Sequence, residues 1–258
     1  MESPSLAGRL RAGGVAVGTL VSQVRTPALA RMLAAAGMHF FIIDCEHGAY
    51  TSETTADLCA AALDAGISPV VRIAEIGREN ILRPLDSGAE GLLVPQVETV
   101  EQARQVVAYA KYPPDGIRGA VVRRAHSRYT RPPAREFLAE RNRTTLVAVQ
   151  IESETGLRNC EAIAAVPGVD ILFVGPFDLS VSLGYPGELR REEVVAAMQR
   201  IFDVARAAGK VAGIHLSDIS QGAEWVRRGG RFVSVGGDIE FIVDGARAAM
   251  QSTLGGEA

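Results

Sequence analysis

The stretch LVAVQIESETGLRNCEAIAAVPGVDILFVGPFD, residues 146–178, decides the fold. It opens with one apolar run, Leu146–Glu152, and ends in a second, Asp170–Gly175, with a helix-like segment between them. VAVQI and ILFVG lack the polar–apolar alternation of a half-solvated sheet. Both therefore read as strands buried on two faces, as parallel sheets require.

The same unit recurs on either side. Further strands are expected at Val15–Leu20, Phe40–Asp44, Pro69–Ile73, Gly91–Pro95, Val211–His215 and Phe232–Gly236. Amphipathic helices separate them. Thr26–Pro27 reads as an N-cap with Pro at the first helical position, and Gly37 closes that helix. Thr99 and Gln102 form a capping-box pattern. Before Gly209, the residues Val194, Met198, Ile201, Phe202 and Ala205 share one helical face. Pro84 should kink or shorten any helix over Ile81–Asp86.

Eight β/α units favour a closed (β/α)8 TIM barrel over an open doubly wound sheet. No G-x-G-x-x-G follows the first strand, which weakens a dinucleotide-binding fold. The segment from Lys111 to about Thr145 is rich in Arg and Pro and is expected to loop over the barrel mouth. With no linker or low-complexity tract, residues 1–258 read as one domain.

Length and composition agree. A chain of 258 residues that is 47% hydrophobic and 22% charged can bury a large core without disulfides or other staples. The net charge of -3 and the dispersed basic residues exclude a nucleic-acid or anionic-membrane reading. Cys45, Cys59 and Cys160 form no C-x-x-C pattern and imply no disulfide framework. No apolar run is long enough to span a bilayer, and MESPSLAGRLRAGG lacks the apolar centre of a signal peptide, so cytoplasmic residence is expected.

In a barrel of this kind, chemistry belongs at the C-terminal ends of the strands. Polar residues gather there: Asp44-Cys45-Glu46-His47, Arg72, Gln150-Ile151-Glu152, Gly175-Pro176-Phe177-Asp178 and His215. Glu152 and Asp178 come from adjacent strands. Two carboxylates leave positions open on a hard cation such as Mg²⁺ or Mn²⁺. The plainer reading is that each caps a helix or pairs with an arginine. Arg72 can hold a carboxylate or steady an enolate oxygen, or it can form a structural ion pair with Asp44 or Glu46. His47 suits a proton shuttle, with His215 its competitor. His39 opens a strand at the far end and reads as structural. For His126, in the long segment, either role is open. Cys45 is better read as a small buried hydrophobe than as a nucleophile.

A Schiff-base aldolase needs a lysine pointing into the mouth. The chain has only Lys111, after a helix, and Lys210, at the start of a strand. If the chemistry passes through a pyruvate carbanion equivalent, a metal must hold the charge.

Six short motifs in order resemble the HpcH/HpaI aldolase family, the metal-dependent class II pyruvate aldolases typified by 4-hydroxy-2-oxoheptanedioate aldolase. They are IIDCEH at 42–47, VVR at 70–72, LDSGAEGLLVP at 85–95, YPPDGIRG at 112–119, VQIE at 149–152 and VGPFDLS at 174–180. The resemblance runs essentially end to end and implies a barrel of the phosphoenolpyruvate/pyruvate type. It implies that Glu152 and Asp178 ligate a divalent metal (Mg²⁺, Mn²⁺ or Co²⁺) to which pyruvate chelates. Gln150 and the backbone near Phe177 and Asp178 would contact the pyruvate, and Arg72 would stabilise its enolate. His47 would be the base, oriented by Asp44, and Asp86 would reach a neighbouring subunit's site in a hexamer. The implied reaction is reversible cleavage of a 4-hydroxy-2-oxo acid to pyruvate and an aldehyde.

The chain departs from the family pattern after Gly119, at Ala120–His126. This part is expected to face the aldehyde, so acceptor specificity does not carry over. Arg123, Arg124 and Arg128 are open to two readings, an anion subsite or a solvated face. Two alternatives remain: an acyl-CoA lyase of the citrate lyase or malyl-CoA kind, and a non-catalytic oxo-acid-binding barrel.

Overall fold

Among the described residues, eight parallel strands pair in chain order, and the last returns to the first to close a barrel. The computed structural model describes residues 5–255. The strands are β1 (Ala16–Val21), β2 (Phe40–Asp44), β3 (Ser68–Arg72), β4 (Gly91–Val94), β5 (Leu146–Ile151), β6 (Ile171–Val174), β7 (Val211–Leu216) and β8 (Phe232–Gly237). The helices are α1 (Leu6–Arg11), α2 (Ala28–Ala35), α3 (Ser52–Ala65), α4 (Arg78–Asp86), α5 (Val100–Ala110), α6 (Ala134–Thr144), α7 (Glu154–Ala164), α8 (Pro176–Ser182), α9 (Glu192–Ala207), α10 (Gly222–Arg227) and α11 (Asp238–Thr253). All eight strands fall where the apolar runs place them, within a residue or so at each end.

The strands lack alternation because both faces are apolar. Along β2, Phe40 and Ile42 join an inner core with Val70, Leu93, Ala148, Phe173 and Phe232. Phe41 and Ile43 belong to a separate outer core between sheet and helices. Inside, the rings of Phe40 and Phe232 stack with centroids 4.0 Å apart, and Leu6 and Leu10 of α1 pack onto the same cluster. Since side chains alternate along a strand, Asp44, two residues beyond Ile42, continues the inner row. Arg72 does the same after Val70, and Gln150 after Ala148. The inner wall is therefore apolar until its last layer, where it turns polar.

Helix ends follow their local chemistry. Thr99 accepts from the Gln102 N–H, and the Gln102 side chain accepts from the Thr99 N–H, closing the expected capping box. Helix α2 starts at Ala28, one residue later than its N-cap signal implied. Helix α4 runs through Pro84 to Asp86 rather than stopping short of it.

The long segment after α5 differs from expectation in place and content. Helix α5 runs back from the end of β4 toward the strand starts, so the chain leaves it at the far end of the barrel. There the segment forms a short 3₁₀ turn (Ala125–Ser127) and α6. Lys111 Nζ donates to the carbonyls of Asn142 and Thr145, and Arg128 donates to the carbonyl of Leu63, near the end of α3. In this chain Arg123, Arg124 and Arg128 thus lie away from the mouth that holds Glu152. No helix among the described residues is long and apolar enough to cross a membrane.

Candidate active site

Asp44 and Arg72 are register partners at the ends of β2 and β3. Arg72 donates from Nε to Asp44 Oδ1 and from Nη2 to Oδ2, both at 2.8 Å. Its Nη1 lies 3.2 Å from Glu46 Oε2. Asp44 is 1% exposed, and its Oδ1 also accepts the N–H groups of Glu46 and His47. Burial alone would raise the Asp44 pKa, but the Arg72 hydrogen bonds and charge outweigh it and hold the carboxyl below its ordinary value. The ion pair weighed for Arg72 is thus formed. It does not consume the guanidinium, since among the described residues three of its five N–H groups are engaged and two are left.

The resemblance has Asp44 orienting His47. Among the described residues, Asp44 holds Arg72 and meets His47 through the backbone N–H. The carboxylate that faces the imidazole is Glu46, with Oε2 3.9 Å from Nε2. The His47 side chain is 70% exposed and so open to a proton donor in the mouth. Burial pushes Glu46 above its ordinary pKa, with Arg72 and His47 opposing and Asp44 and Asp178 adding to the rise.

Glu152 follows β5 and is 6% exposed. Its Oε1 accepts the Gln96 N–H at 2.7 Å, and its Oε2 accepts a short hydrogen bond from Gln150 Nε2. Gln96 adopts φ 53, a left-handed conformation that costs a non-glycine residue roughly 1–2 kcal/mol. Burial raises the Glu152 pKa to about 7 against these two donors, and the charges of Asp178 and Glu46 raise it further. Gln150 Oε1 is buried without a partner among the described residues. Such an atom calls for a donor or a cation.

Gly175 ends the turn into α8 and leaves the room this arrangement needs. A Cβ there would collide with Glu152 Oε2 and sit 2.8 Å from Gln150 Nε2. Phe177 and Asp178 occupy the first turn of α8 and are exposed.

A cation fits this donor set. The Asp178 charge raises the pKa of both Glu46 and Glu152, and the Glu46 charge raises that of Glu152, so these three carboxylates oppose one another's negative charge. Among the described residues, no three His, Cys, Asp or Glu side chains converge into a cage by themselves. A bound divalent ion would therefore keep most positions open to water and substrate.

His215 closes β7 beside Ser234 of β8, its register partner, with Nδ1 3.0 Å from Ser234 Oγ. Burial, then the charge of Arg72, lowers its pKa to about 4, with Asp44 opposing. The other two histidines are held by the backbone. His39 Nδ1 accepts the Val17 N–H, and both ring nitrogens of His126 approach backbone carbonyls. Cys45 lines a separate outer cleft with Tyr50, Thr55 and Asn80, and burial raises its thiol pKa, contrary to what a nucleophile needs.

Asp86 ends α4, at the far end of the barrel. Its carboxylate accepts from Arg118 Nη2 at 2.6 Å. Within one chain it is remote from the mouth.

Gln96, Ser234 and Gly175 carry parts that the sequence pattern does not signal, and Glu46, expected only as a possible partner of Arg72, also faces His47. Gly175 stands three residues before Asp178. Gln96 acts through its backbone, and no side-chain pattern signals that.

The fold and the sequence have known counterparts. The signature described as HpcH/HpaI aldolase/citrate lyase matches residues 19–244. A hydroxypyruvate/pyruvate aldolase of Chromohalobacter salexigens is 39% identical over 224 residues, covering 86% of each protein. A 5-keto-4-deoxy-D-glucarate aldolase of Klebsiella pneumoniae is 38% identical over 213 residues, 83% of this chain and 82% of that one. The crystal structure of an HpcH/HpaI aldolase from Desulfitobacterium hafniense superposes with a TM-score of 0.93 at 33% identity, over 97% of each chain. The chain belongs to the HpcH/HpaI aldolase/citrate lyase family and is a carbon–carbon lyase.

Proposed function

We propose that the protein is a class II pyruvate aldolase that reversibly cleaves a 4-hydroxy-2-oxo acid to pyruvate and an aldehyde with the help of a divalent cation. The observation that carries this reading is the mouth itself: buried Glu152 and nearby Asp178 on one side, and an Arg72 held in place by Asp44 on the other. The aldolase names of the relatives support it.

Glu152 and Asp178 would hold the cation, be it Mg²⁺, Mn²⁺ or Co²⁺, which supplies Lewis acidity toward the oxygen where negative charge develops. Gln150, with its unpartnered Oε1, borders the place where the oxo acid lies. In cleavage the C4 hydroxyl gives up its proton and the C3–C4 bond breaks. The aldehyde leaves, and the electron pair delocalises into an enolate of pyruvate. His47 takes the hydroxyl proton. The two free Arg72 N–H groups donate to the enolate oxygen, and their orientation, fixed by Asp44, needs no rearrangement during the step. Protonation at C3 then yields pyruvate.

The test is dialysis against EDTA followed by restoration with each ion. Activity should vanish and return, and Glu152→Gln and Asp178→Asn should defeat restoration. Full turnover in excess EDTA would overturn the reading.

The assembly reading stands on α11. Apart from Asp238 its residues are exposed, among them Ile239, Ile242, Val243 and Met250. An apolar face of that size is costly in water and suits contact with further copies of the chain, as in a hexamer. Asp86, remote from its own mouth, then serves a neighbour's.

A further inference from the structure

The proposed reaction leaves His215 without a task. Its side chain belongs to the inner wall. Ile214 is part of the outer core, whereas Val211 packs against the inner one. A Cβ on Gly213 would meet the Phe173 ring at 2.7 Å, which also faces inward. His215, two residues on, therefore ends the inner row of β7, and the charges of Arg72 and Asp44 both act on it. It shares the mouth with the reacting groups.

Its tautomer follows from its neighbour. Ser234 is fully buried, and His215 Nδ1 is the hydrogen-bond partner its hydroxyl has among the described residues. A buried hydroxyl donates where it can. Ser234 therefore gives its proton to Nδ1, and the ring carries its own hydrogen on Nε2, the nitrogen turned away from β8. Among the described residues, Nε2 makes no hydrogen bond. Burial and the nearby guanidinium keep the ring neutral.

A neutral N–H donor in such a wall is matched to an uncharged oxygen. The carboxylate and oxo groups of the substrate are served by Arg72, Gln150 and the proposed cation, and the reacting C4 oxygen by His47. The remaining oxygen type on such substrates is a hydroxyl. Against a methyl or an unsubstituted aldehyde carbon, an apolar side chain would serve better, since the N–H would be left unpaired. We propose that His215 is a specificity-determining residue that donates from Nε2 to a substrate hydroxyl next to the reacting carbon, so that the enzyme favours hydroxylated partners.

This inference rests on the aldolase reading, and its test separates the two. The hydroxyl can sit on the oxo acid, as in hydroxypyruvate, or on the aldehyde, as in glycolaldehyde. Values of kcat/KM are measured for pyruvate against hydroxypyruvate and for acetaldehyde against glycolaldehyde, with wild type, His215→Leu and His215→Gln. Turnover of pyruvate with acetaldehyde reports on the aldolase reading alone. His215→Leu should lower the hydroxylated-to-plain ratio by about tenfold or more in one of the two arms, the size of one hydrogen bond. His215→Gln, which still offers an N–H, should restore part of it. Nitrogen-15 NMR of histidine-labelled wild-type protein should show a bare Nδ1 and a protonated Nε2 at neutral pH, with Nε2 shifting on addition of the hydroxylated partner. Unchanged ratios in both arms, or a protonated Nδ1, would overturn the proposal.

Discussion

Asp44 and Arg72, paired across the ends of β2 and β3, form a two-pronged ion pair with both contacts at 2.8 Å. The buried carboxylate sets the direction of the guanidinium, and the guanidinium keeps that carboxylate charged in a dry place. Arg72→Ala removes the cation and strands Asp44. Such a loss costs about 3–5 kcal/mol of stability, readable by urea denaturation. Arg72→Lys keeps the charge without the fork. It should stay folded yet lose about 10²–10³ in kcat, as removal of an oxyanion donor does. Exchange of the pyruvate methyl protons in D2O should fall in parallel, and undiminished exchange would contradict the enolate role.

Gly175 makes room for the Glu152 carboxylate. Its replacement by Ala puts a methyl against Glu152 Oε2 and Gln150 Nε2, so these side chains must move. Fold and helix content should survive, because Gly175 has φ -98, a conformation open to other residues. Divalent-ion affinity, read by calorimetry, should fall by about tenfold or more, the range seen when support around metal ligands is disturbed.

The depressed pKa of His215 makes stability depend on pH. Its folded value is about 4, below the ordinary 6.5, so between these values the unfolded chain binds the extra proton. The contribution is present above pH 6.5 and is lost as pH falls toward 4. The stability difference between wild type and His215→Leu should shift by about 2 kcal/mol against wild type between pH 7 and pH 4.5. Urea midpoints at the two pH values check this, and a constant difference would show that the ring is not held neutral.

Helix α11 carries the assembly prediction. Ile242→Glu and Val243→Glu place charge on side chains that are 60% and 45% exposed in a single chain. Monomer stability should change by less than about 0.5 kcal/mol, whereas light scattering should show a smaller assembly than wild type. An unchanged mass would exclude α11 from the interface.

The strands were legible because burial on both faces writes a continuous apolar run, as in FFIID and VAVQI, whatever their neighbours. Strand order then placed Asp44, Arg72, Gln150, Glu152 and His215 at one mouth, since they all close such runs. The Thr99–Gln102 cap was equally local, being a matter of residues three apart.

Direction and contact were another matter. The sequence put Lys111 to about Thr145 in a loop over the mouth, but the antiparallel return of α5 sends that segment to the far end of the barrel. It named Asp44, Glu46 and His47 together, but only the closed sheet aligns Asp44 with Arg72 and leaves Glu46 to face the imidazole. Gln96 contributes a backbone N–H, and Ser234 fixes a ring's tautomer from the adjacent strand. Composition and spacing determine which residues can be buried and on which element they lie. Hydrogen bonds between residues dozens of positions apart exist only once the barrel has closed and fixed the register of its strands.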